Sequence, residues 1–517
     1  MKPQNRQRPG NTKRRMKMKT KWIAGLMTSV LAVSMLAGCG SSADTGEKSK
    51  TESAGSKQDG GEEPYTVTMM FIGNTQDDEQ KVEEAINKLT MKDLNMKLDI
   101  MLVPWANANE QQRLMLSGGE KLDLMVGQAY QAANFVSTQA VYDLSEMIDK
   151  YGTNIKENMG DNAKVANING FVYGIPNVCD WYRQASIMVR KDWLEEAGFQ
   201  EADIKSVDDL EGVYEVVAKN HPEAAMLAMS KGQKFDSDWY QCDPLGDGYG
   251  VLLNYGEKPV VENWYASDAY KAFLDRQYRW AQKGWIGKDA ATTTDSIEVQ
   301  MSNGKAFSLV STYQPAIANE ASVAYKTEMA VIPLYDAFTT SSFTAGFYWA
   351  VARNSEQPEK AFQMLDYIYG NPEAANLLNW GIEGEHYKLT EDRHVTFPDG
   401  MDKSSDPYNA YFGFMLPNQY ISDVWEGLPL DVGEQVMKLN EEARKSCAYG
   451  FTYDGTALAN ELAALDNVKG QYIDALNTGS VNPDEVLPQF LADLKAAGLD
   501  KVMESKQQQL DDWLAKQ

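Results

Sequence analysis

The fold begins with the apolar run TVTMMF at residues 66–71, whose β-branched and large apolar side chains predict a strand. The polar run GNTQ at residues 73–76 ends that strand, and residues 77–94 then place Val82, Ile86 and Leu89 on one face of a helix. The alternation continues in a strand at residues 96–103, a helix at 107–116, a strand at 122–126 and a helix at 147–151. Strands that alternate with helices predict an α/β fold, with a mostly parallel sheet covered by helices on both faces.

Strand and helix patterns continue along the rest of the chain. At 517 residues the chain is long enough for two or more lobes. Further elements are predicted as a strand and turn at residues 170–176, a strand running into a helix at 186–194, a helix from 207 to near 221, a helix at 266–283, strands at 303–310 and 329–333, and a helix at 358–369. From residue 431 to the end the pattern is nearly all helical, so we expect a helical C-terminal part.

The N-terminal residues have the pattern of an export signal. Residues 1–21 are basic, and residues 22–37 form an apolar run that is shorter than the roughly 18 residues of a membrane-spanning helix. The sequence LAGC at residues 36–39 resembles the lipoprotein box of bacteria, in which signal peptidase cuts before the cysteine and its thiol carries diacylglycerol. The alternative is an ordinary A-x-A-type cleavage site with an incidental cysteine. The position, the apolar run and the following Gly-Ser favour the lipoprotein.

The lipoprotein box predicts where the protein works. We expect residues 1–38 to be a lipoprotein signal peptide and Cys39 to carry the lipid. Residues 39–64 are rich in Ser, Gly, Lys, Glu and Asp, which predicts a flexible tether behind the lipidated cysteine. The mature protein would then be anchored in the membrane by its acyl chains, on the extracellular face of the cell.

The charge of the chain argues against partners that are themselves anionic. The net charge is −25, and loss of the nine Lys and Arg of residues 1–38 makes it −34. A surface this acidic is repelled by nucleic acid and by anionic lipid headgroups, so we expect no nucleic-acid partner and a well-solvated monomer. The remaining cysteines, Cys179, Cys242 and Cys447, form no C-x-x-C motif, and we expect scattered buried thiols.

Several stretches resemble a known family when they are taken in order. They are NGFVYGIP at residues 169–176 with MVRKDWL at 188–194, SNGKAF at 302–307, and FYWAVA at 347–352 with PEKA at 358–361. Together they resemble the extracellular solute-binding proteins of bacterial ABC importers, in the group that includes maltose-binding protein. The sequence WGIEGEHY at residues 380–387 and the run from 415 to 517 resemble the longer sugar-binding lipoproteins of Gram-positive bacteria.

The resemblance implies a two-lobe periplasmic-binding-protein-like fold (type II, maltose-binding-protein-like) with a helical C-terminal part. Lobe 1 would comprise residues 65–178 and 335–372, and lobe 2 residues 179–334 and 373–517, including the C-terminal helical module. The chain would cross between the lobes near residues 176–186, 332–344 and 371–380. The implied ligand is a carbohydrate held in the cleft between the lobes, and the implied partner is an ABC permease.

A sugar site needs aromatic rings for the apolar C–H faces of a pyranose and polar groups for its hydroxyls. The chain has 12 Trp and 26 Tyr against 16 Phe, and several of them follow strand ends, where loops of α/β sheets form clefts. The predicted ligand-binding residues are Asn74, Gln76 and Asp77 after the first strand, Gln128 and Tyr130 after the third, Asp180, Trp181 and Arg183 at the first crossing, Trp239, Tyr240 and Asp243 in lobe 2, Thr312, Tyr313 and Gln314 after the strand at 303–310, and Trp380, Glu383 and His386 at the third crossing.

These candidates have alternative interpretations. Asn74, Gln76 and Asp77 fit equally well as caps of the following helix. Trp181, in a polar turn, is expected to face the ligand, whereas Trp239 and Trp380 fit core and cleft equally. His386 fits a hydrogen-bonded structural role better than a ligand role.

Enzyme motifs are missing from the sequence. It has three His and no H-E-x-x-H, G-x-S-x-G or P-loop motif, so no catalytic residue, metal site or cofactor is assigned. Asp243 and Asp247 could bind a structural Ca²⁺, although their spacing is not that of an EF-hand loop. We therefore expect a non-catalytic receptor that delivers a sugar to a permease. The alternatives are a surface-anchored glycoside hydrolase using two carboxylates and a peptide-binding receptor.

Overall fold

The computed structural model describes residues 63–232, 235 and 237–517 of the chain. The predicted signal peptide, Cys39 and all but the last two residues of the predicted tether lie outside this part. Within it, no helix is both long and apolar enough to cross a membrane.

The main strands lie in two sheets. They are β1 (Tyr65–Ile72), β2 (Met96–Val103), β3 (Leu124–Gln128), β4 (Ile175–Pro176), β5 (Ala185–Arg190), β6 (Ala225–Leu227), β7 (Ala306–Thr312), β8 (Met329–Pro333) and β9 (Phe347–Val351). The first sheet has the order β2-β1-β3-β9-β4, and the second has the order β8-β5-β7-β6. Two-residue strands pair Asn167–Ile168 with Phe171–Val172, Phe338–Thr339 with Arg444–Lys445, and Lys388–Leu389 with Val395–Thr396.

Helices surround both sheets and make up most of the C-terminal part. The longer ones are α1 (Glu79–Leu94), α2 (Trp105–Gly118), α3 (Asp209–Asn220), α4 (Asp268–Gln282), α5 (Ile317–Tyr325), α6 (Pro358–Gly370), α7 (Pro372–Trp380), α8 (Val432–Glu442), α9 (Ala459–Asn477), α10 (Pro483–Ala496) and α11 (Leu499–Leu514). Shorter helices span Ala132–Ser137, Ser145–Tyr151, Thr153–Met159, Lys191–Glu196, Ser237–Tyr240, Ile297–Ser302 and Ser341–Thr344.

The two sheets differ in strand direction. In the first sheet β1 runs parallel to β2 and β3, as the βαβ pattern predicts, and only β9 runs antiparallel, between β3 and β4. In the second sheet β5 pairs antiparallel with both β7 and β8, so the expectation of a mostly parallel sheet fails there. The pairing of β5 joins strands more than a hundred residues apart in sequence, and local periodicity carries no information on such a direction.

Each sheet anchors its own hydrophobic core. The first core contains β1–β3, β9, α6 and α7, and the second contains β5, α3, α4 and the helices α9–α11. The two lobes and the helical C-terminal part agree with the predicted fold. The chain leaves the first core after Trp181 and enters the second at Ala185, and it returns between Leu334 and Ala345.

The third crossing differs from the sequence-based division of the lobes. Residues from 373 onward were assigned to lobe 2, but Ala374, Leu378, Phe412 and Leu416 are buried in the first core. The chain reaches the second core only near Ala448. An amphipathic helix such as α7 shows which face it buries, but not which lobe it buries that face against.

The C-terminal helices are tied to lobe 2 by buried polar contacts. Lys506 on α11 is fully buried and donates to Asp247 (2.6 Å) and to the carbonyl of Gly250 (3.1 Å). Burial lowers the pKa of the Lys506 amine, and the Asp247 carboxylate opposes that shift. Tyr449, which precedes α9 in the chain, contacts lobe 1. Its hydroxyl donates to the side-chain oxygen of Asn162 (2.8 Å).

The close approach of β3 and β9 gives a test of the first core. Gly127 lies opposite the buried Tyr348 in the β3–β9 register, and a methyl group at Gly127 would overlap the Tyr348 ring. We expect Gly127→Ala to lower the free energy of unfolding by about 1–3 kcal/mol or more, because the packed ring has no space to move into. Urea unfolding followed by circular dichroism measures this.

Gly118→Ala is the matched control. Gly118 ends α2 with no atom within 4 Å of the added methyl group, so we expect unchanged or slightly higher stability. Equal stability of the two variants would contradict the described β3–β9 packing.

Candidate ligand-binding cleft

A cavity of about 800 Å³ lies between the two lobes. Trp105 and residues 411–415 line it from lobe 1, and Gln314, Pro315 and Glu320 line it from lobe 2. The segment 418–437, which follows the lobe 1 residues, closes one side. We call this cavity the cleft.

One aromatic group of the cleft sits at the edge of the first sheet. β2 ends at Val103, and Pro104 starts α2 so that Trp105 is its first residue, with 49% of its surface exposed. β9 runs antiparallel, so its first residue, Phe347, reaches the same edge. The rings of Trp105 and Phe347 meet edge to face at 6.1 Å, and Phe347 lies 4.9 Å from Phe414, whose ring is also exposed. Exposed rings at a strand edge offer a ligand a flat apolar face.

A second aromatic group is built around Trp380. Its ring stacks on Tyr411 (5.2 Å, 19°) and lies 5.2 Å from Trp425. Trp380 itself is buried and donates its indole N–H to the Asp423 carbonyl (3.0 Å), whereas Tyr411 is 53% exposed. Trp380 therefore supports the cleft wall from behind, and Tyr411 presents the face.

Polar side chains converge on the lobe 2 side. Gln314 donates its amide to the Asp180 carboxylate (2.5 Å), and Arg183 lies 3.5 Å from the same carboxylate. The Arg183 guanidinium also donates to the carbonyls of Asp180 and Tyr182. Asp180 and Gln314, predicted from separate stretches of sequence, are thus brought together in the cleft wall.

Glu320 faces Tyr411 across the cleft. The walls partly desolvate the carboxyl group of Glu320 and raise its pKa. Partial burial, and then the negative charge of Glu320, raise the pKa of the Tyr411 phenol. Glu320 from lobe 2 and Tyr411 from lobe 1 therefore line one continuous cavity.

Buried amides hold the cleft-lining segment in place. Asn379 accepts from the amide of Phe412 (3.0 Å) and donates to the Ser422 hydroxyl (3.0 Å). Asn418 donates to the carbonyl of Tyr369 (3.2 Å) on α6. Because these amides are buried, losing either partner would leave a polar group unsatisfied, so the segment is firmly positioned.

Several predicted residues lie in a core instead. Trp181 is only 4% exposed, packs in the first core and donates its indole N–H to the Asn177 carbonyl (2.7 Å), which contradicts the expectation that it faces a ligand. Its polar neighbours predict an exposed ring, but the indole packs into the first core at the point where the chain leaves lobe 1. Trp239 and Asp243 are buried in lobe 2, and Tyr240 packs on Trp264.

The candidates after β1 and at residues 383–386 also lie outside the cleft. Gln76 accepts from the amide of Asn409 (3.0 Å) and donates to the carbonyl of Asn74 (2.9 Å), while Asp77 is exposed. The N-terminus of α1 has no side-chain cap, so the capping alternative is not seen either. His386 is buried between the amide of Ile382 and the carboxylate of Asp78, a structural role, and Glu383 is exposed.

The candidates after β3 and β7 lie at other surfaces. Gln128 and Tyr130 bond to each other (3.2 Å), and Tyr130, 67% exposed, lines a separate cavity of about 340 Å³. Thr312 ends β7 and Tyr313 follows it, and neither lines the cleft, whereas the next residue, Gln314, does.

Sequence reasoning missed most of the aromatic wall. Trp105, Tyr411, Phe414 and Trp425 line the cleft and were not among the candidates. Trp105 directly follows the predicted second strand, so the strand-end rule could have found it. The run NAYFGF at residues 409–414 is rich in aromatic residues without helical periodicity, and this was the available signal for Tyr411 and Phe414.

The part of the chain that the structure describes contains no group of three or more His, Cys, Asp or Glu placed to hold a metal ion. Asp247, one of the two residues that left Ca²⁺ open, is instead paired with Lys506. Cys179, Cys242 and Cys447 form no disulfide. The chemistry of the cleft is therefore that of aromatic rings, amides and carboxylates, which can stack on a ligand and bond its polar edge.

Comparison with known proteins agrees with this architecture. The sequence profile described as bacterial extracellular solute-binding protein matches residues 73–375, and a domain of unknown function, DUF3502, matches residues 447–515. A carbohydrate ABC transporter substrate-binding protein of Streptococcus pneumoniae is 25% identical over 501 residues, which cover 94% of this chain and 97% of the relative.

Solved structures share the fold. The N-glycan transport solute-binding protein NgtS of Streptococcus pneumoniae superposes with a TM-score of 0.76 at 24% identity, over 87% of this chain and 99% of that one. An HMO-binding, ABC-transporter-associated solute-binding protein of Bifidobacterium longum infantis gives 0.61 at 18% identity, over 87% and 99% of the two chains. Since the family profile matches more than half of this chain, the chain belongs to the family of bacterial extracellular solute-binding proteins.

Proposed function

We propose that this protein is the carbohydrate receptor of an ABC importer, anchored to the outer face of the membrane through Cys39. The observation that carries the proposal is the interlobe cleft, in which the exposed rings of Trp105, Tyr411 and Phe414 stand beside amides and carboxylates. A pyranose has apolar C–H faces that stack on rings and hydroxyls that need such polar partners.

The size of the cleft and the names of the relatives support an oligosaccharide ligand. A volume of about 800 Å³ lies in the upper part of the usual range for small-molecule sites, roughly 300–1,000 Å³. NgtS has been crystallised in complex with Man1GlcNAc and with Man5GlcNAc, and those complexes share the fold of this chain with TM-scores of 0.68 and 0.65.

Delivery follows from the two-lobe architecture. A ligand that contacts both walls stabilises the closed arrangement of the lobes over the open one, because only the closed one provides both sets of contacts. A permease that recognises the closed form would then receive loaded receptors. The tether that the composition of residues 40–64 predicts would have a root-mean-square reach of roughly 25–30 Å, and a receptor held on it would stay close to a membrane permease.

The aromatic wall gives the first functional test. We expect Trp105→Ala and Phe414→Ala each to weaken oligosaccharide binding by about 30-fold, because truncating a contact ring costs about 2 kcal/mol. Isothermal titration calorimetry against a panel of neutral oligosaccharides measures this, with thermal unfolding to verify folding.

Val323→Ala is the matched control, because Val323 is 80% exposed on α5 and does not line the cleft. Unchanged affinity of both ring variants for every sugar that binds would place the ligand elsewhere. Recovery of cleaved sugar after incubation would favour the glycoside hydrolase alternative.

The anchor gives an independent test. We expect Cys39→Ala to abolish metabolic labelling with palmitate, since the cysteine thiol carries the lipid, and to leave the signal peptide uncut, since the peptidase cuts before that cysteine. Labelling and the size of the protein on a denaturing gel measure both effects. The control Cys447→Ala should be labelled and cut as usual, and palmitate labelling that persists in Cys39→Ala would exclude Cys39 as the lipid carrier.

A further inference from the structure

The cleft is lined by acidic side chains and by no basic one. Among the described residues that line it, Asp180, Glu320, Asp423 and Glu434 carry carboxylates, and there is no Lys, Arg or His. We propose that the cleft selects uncharged glycans and rejects glycans that carry carboxylate, sulfate or phosphate groups. This inference rests on the proposed function and names the substrate class of the same cleft.

The carboxylates surround the cleft and do not cluster on one wall. Asp180 lies where the chain leaves lobe 1, Glu320 lies on α5 of lobe 2, and Asp423 and Glu434 belong to the segment 418–437. The proposed function places the ligand against the exposed aromatic rings, and the carboxylates beside them would then determine which ligand enters the cleft. An anionic group bound in the cleft would share it with these four carboxylates.

Cations near these carboxylates compensate only one of them. Arg183 lies 3.5 Å from Asp180, but its guanidinium also donates to the carbonyls of Asp180 and Tyr182 and lies 5.4 Å from the Phe343 ring. In the described part of the chain, Glu320, Asp423 and Glu434 have no Lys, Arg or His within ion-pair distance. Asp423 instead accepts from the Asn376 amide (2.9 Å). The cleft thus keeps an excess of negative charge.

Recognition of an acidic sugar needs the opposite chemistry. Carboxylate and phosphate groups are bound by Arg, Lys or backbone N–H groups, with Arg providing bidentate bonds. A carboxylate lining a cleft can instead accept hydrogen bonds from the hydroxyl groups and the N-acetyl N–H groups of a neutral sugar. The net charge of the mature protein, which is −34 after loss of the nine Lys and Arg of residues 1–38, repels acidic glycans even before they enter the cleft.

The test compares matched glycans that differ in one charged group. The probes are Man5GlcNAc against its monophosphorylated form, and a neutral milk oligosaccharide against its sialylated form, titrated into the full mature protein. We expect the acidic member of a pair to bind roughly 10-fold or more weakly at low salt, because one like-charge contact near a protein surface has about that effect. Raising the ionic strength from about 0.01 M to about 1 M shortens the Debye length from about 30 to about 3 Å. This should reduce the difference in affinity between the neutral and the acidic member of each pair.

Charge-neutral variants identify the residues responsible. We expect Glu320→Gln and Glu434→Gln each to reduce the ratio of the affinity for the neutral glycan to that for the acidic glycan several-fold. The affinity for the neutral glycan itself should change less. Glu223→Gln is the matched control, since Glu223 is exposed in lobe 2 and does not line the cleft.

The outcomes separate this inference from the proposed function. Acidic glycans that bind as tightly as their neutral partners at low salt, or a preference that neither salt nor the two variants reduces, would overturn the charge selection while leaving a sugar receptor. Failure of every neutral and acidic glycan to bind would overturn the proposed function and this inference with it.

Discussion

The structure depends on the insertion of β9 into the first sheet. Trp349 in the middle of this strand is fully buried and donates its indole N–H to the carbonyl of Met415 (3.0 Å). Phe71 on β1 packs against Trp349 (4.9 Å) and stacks on Phe412 (4.3 Å). One strand that returns from the second lobe therefore completes the first core and fixes residues 411–415, which line the cleft.

This arrangement links packing to binding. Tyr411 and Phe414 are exposed, but their neighbours Phe412 and Leu416 are buried in the first core, so the backbone that carries the exposed rings is held by buried residues beside them. The hydrogen bonds of Asn379 and Asn418 extend the support to residues 412–422. A wall held in this way loses little side-chain and loop freedom when a ligand binds, and such preorganisation favours affinity.

The C-terminal module has a structural role that its description as a domain of unknown function leaves open. It is attached to lobe 2 through the buried Lys506 and through Tyr249, which donates to Asp466 (2.7 Å). It touches lobe 1 through Tyr449 and through Gly450, whose carbonyl accepts from Asn167 (3.1 Å). The module thus contacts both bodies on either side of the cleft, whereas the cleft-lining segment 418–437 precedes it in the chain.

The sequence by itself determined the class of the fold, most elements and the type of site. Period-two and helical patterns predicted β1, β2, α1, α6 and β8 within a few residues, because those patterns reflect which face of an element is buried. Of the residues predicted from the sequence, Gln314 after a strand, Asp180 at the expected first crossing and Trp380 at the expected third crossing lie at the cleft.

Only the tertiary structure decided which lobe receives each later element, and which aromatic rings are exposed. The third crossing, the antiparallel second sheet and the burial of Trp181 all depend on contacts between residues far apart in sequence. The sequence around a tryptophan does not show whether the ring lies in a core or in a cleft. Only the packing partners distinguish Trp181, which is buried, from Trp105, which is exposed. Burial is a property of the assembled fold, and local patterns report only which face of an element is apolar.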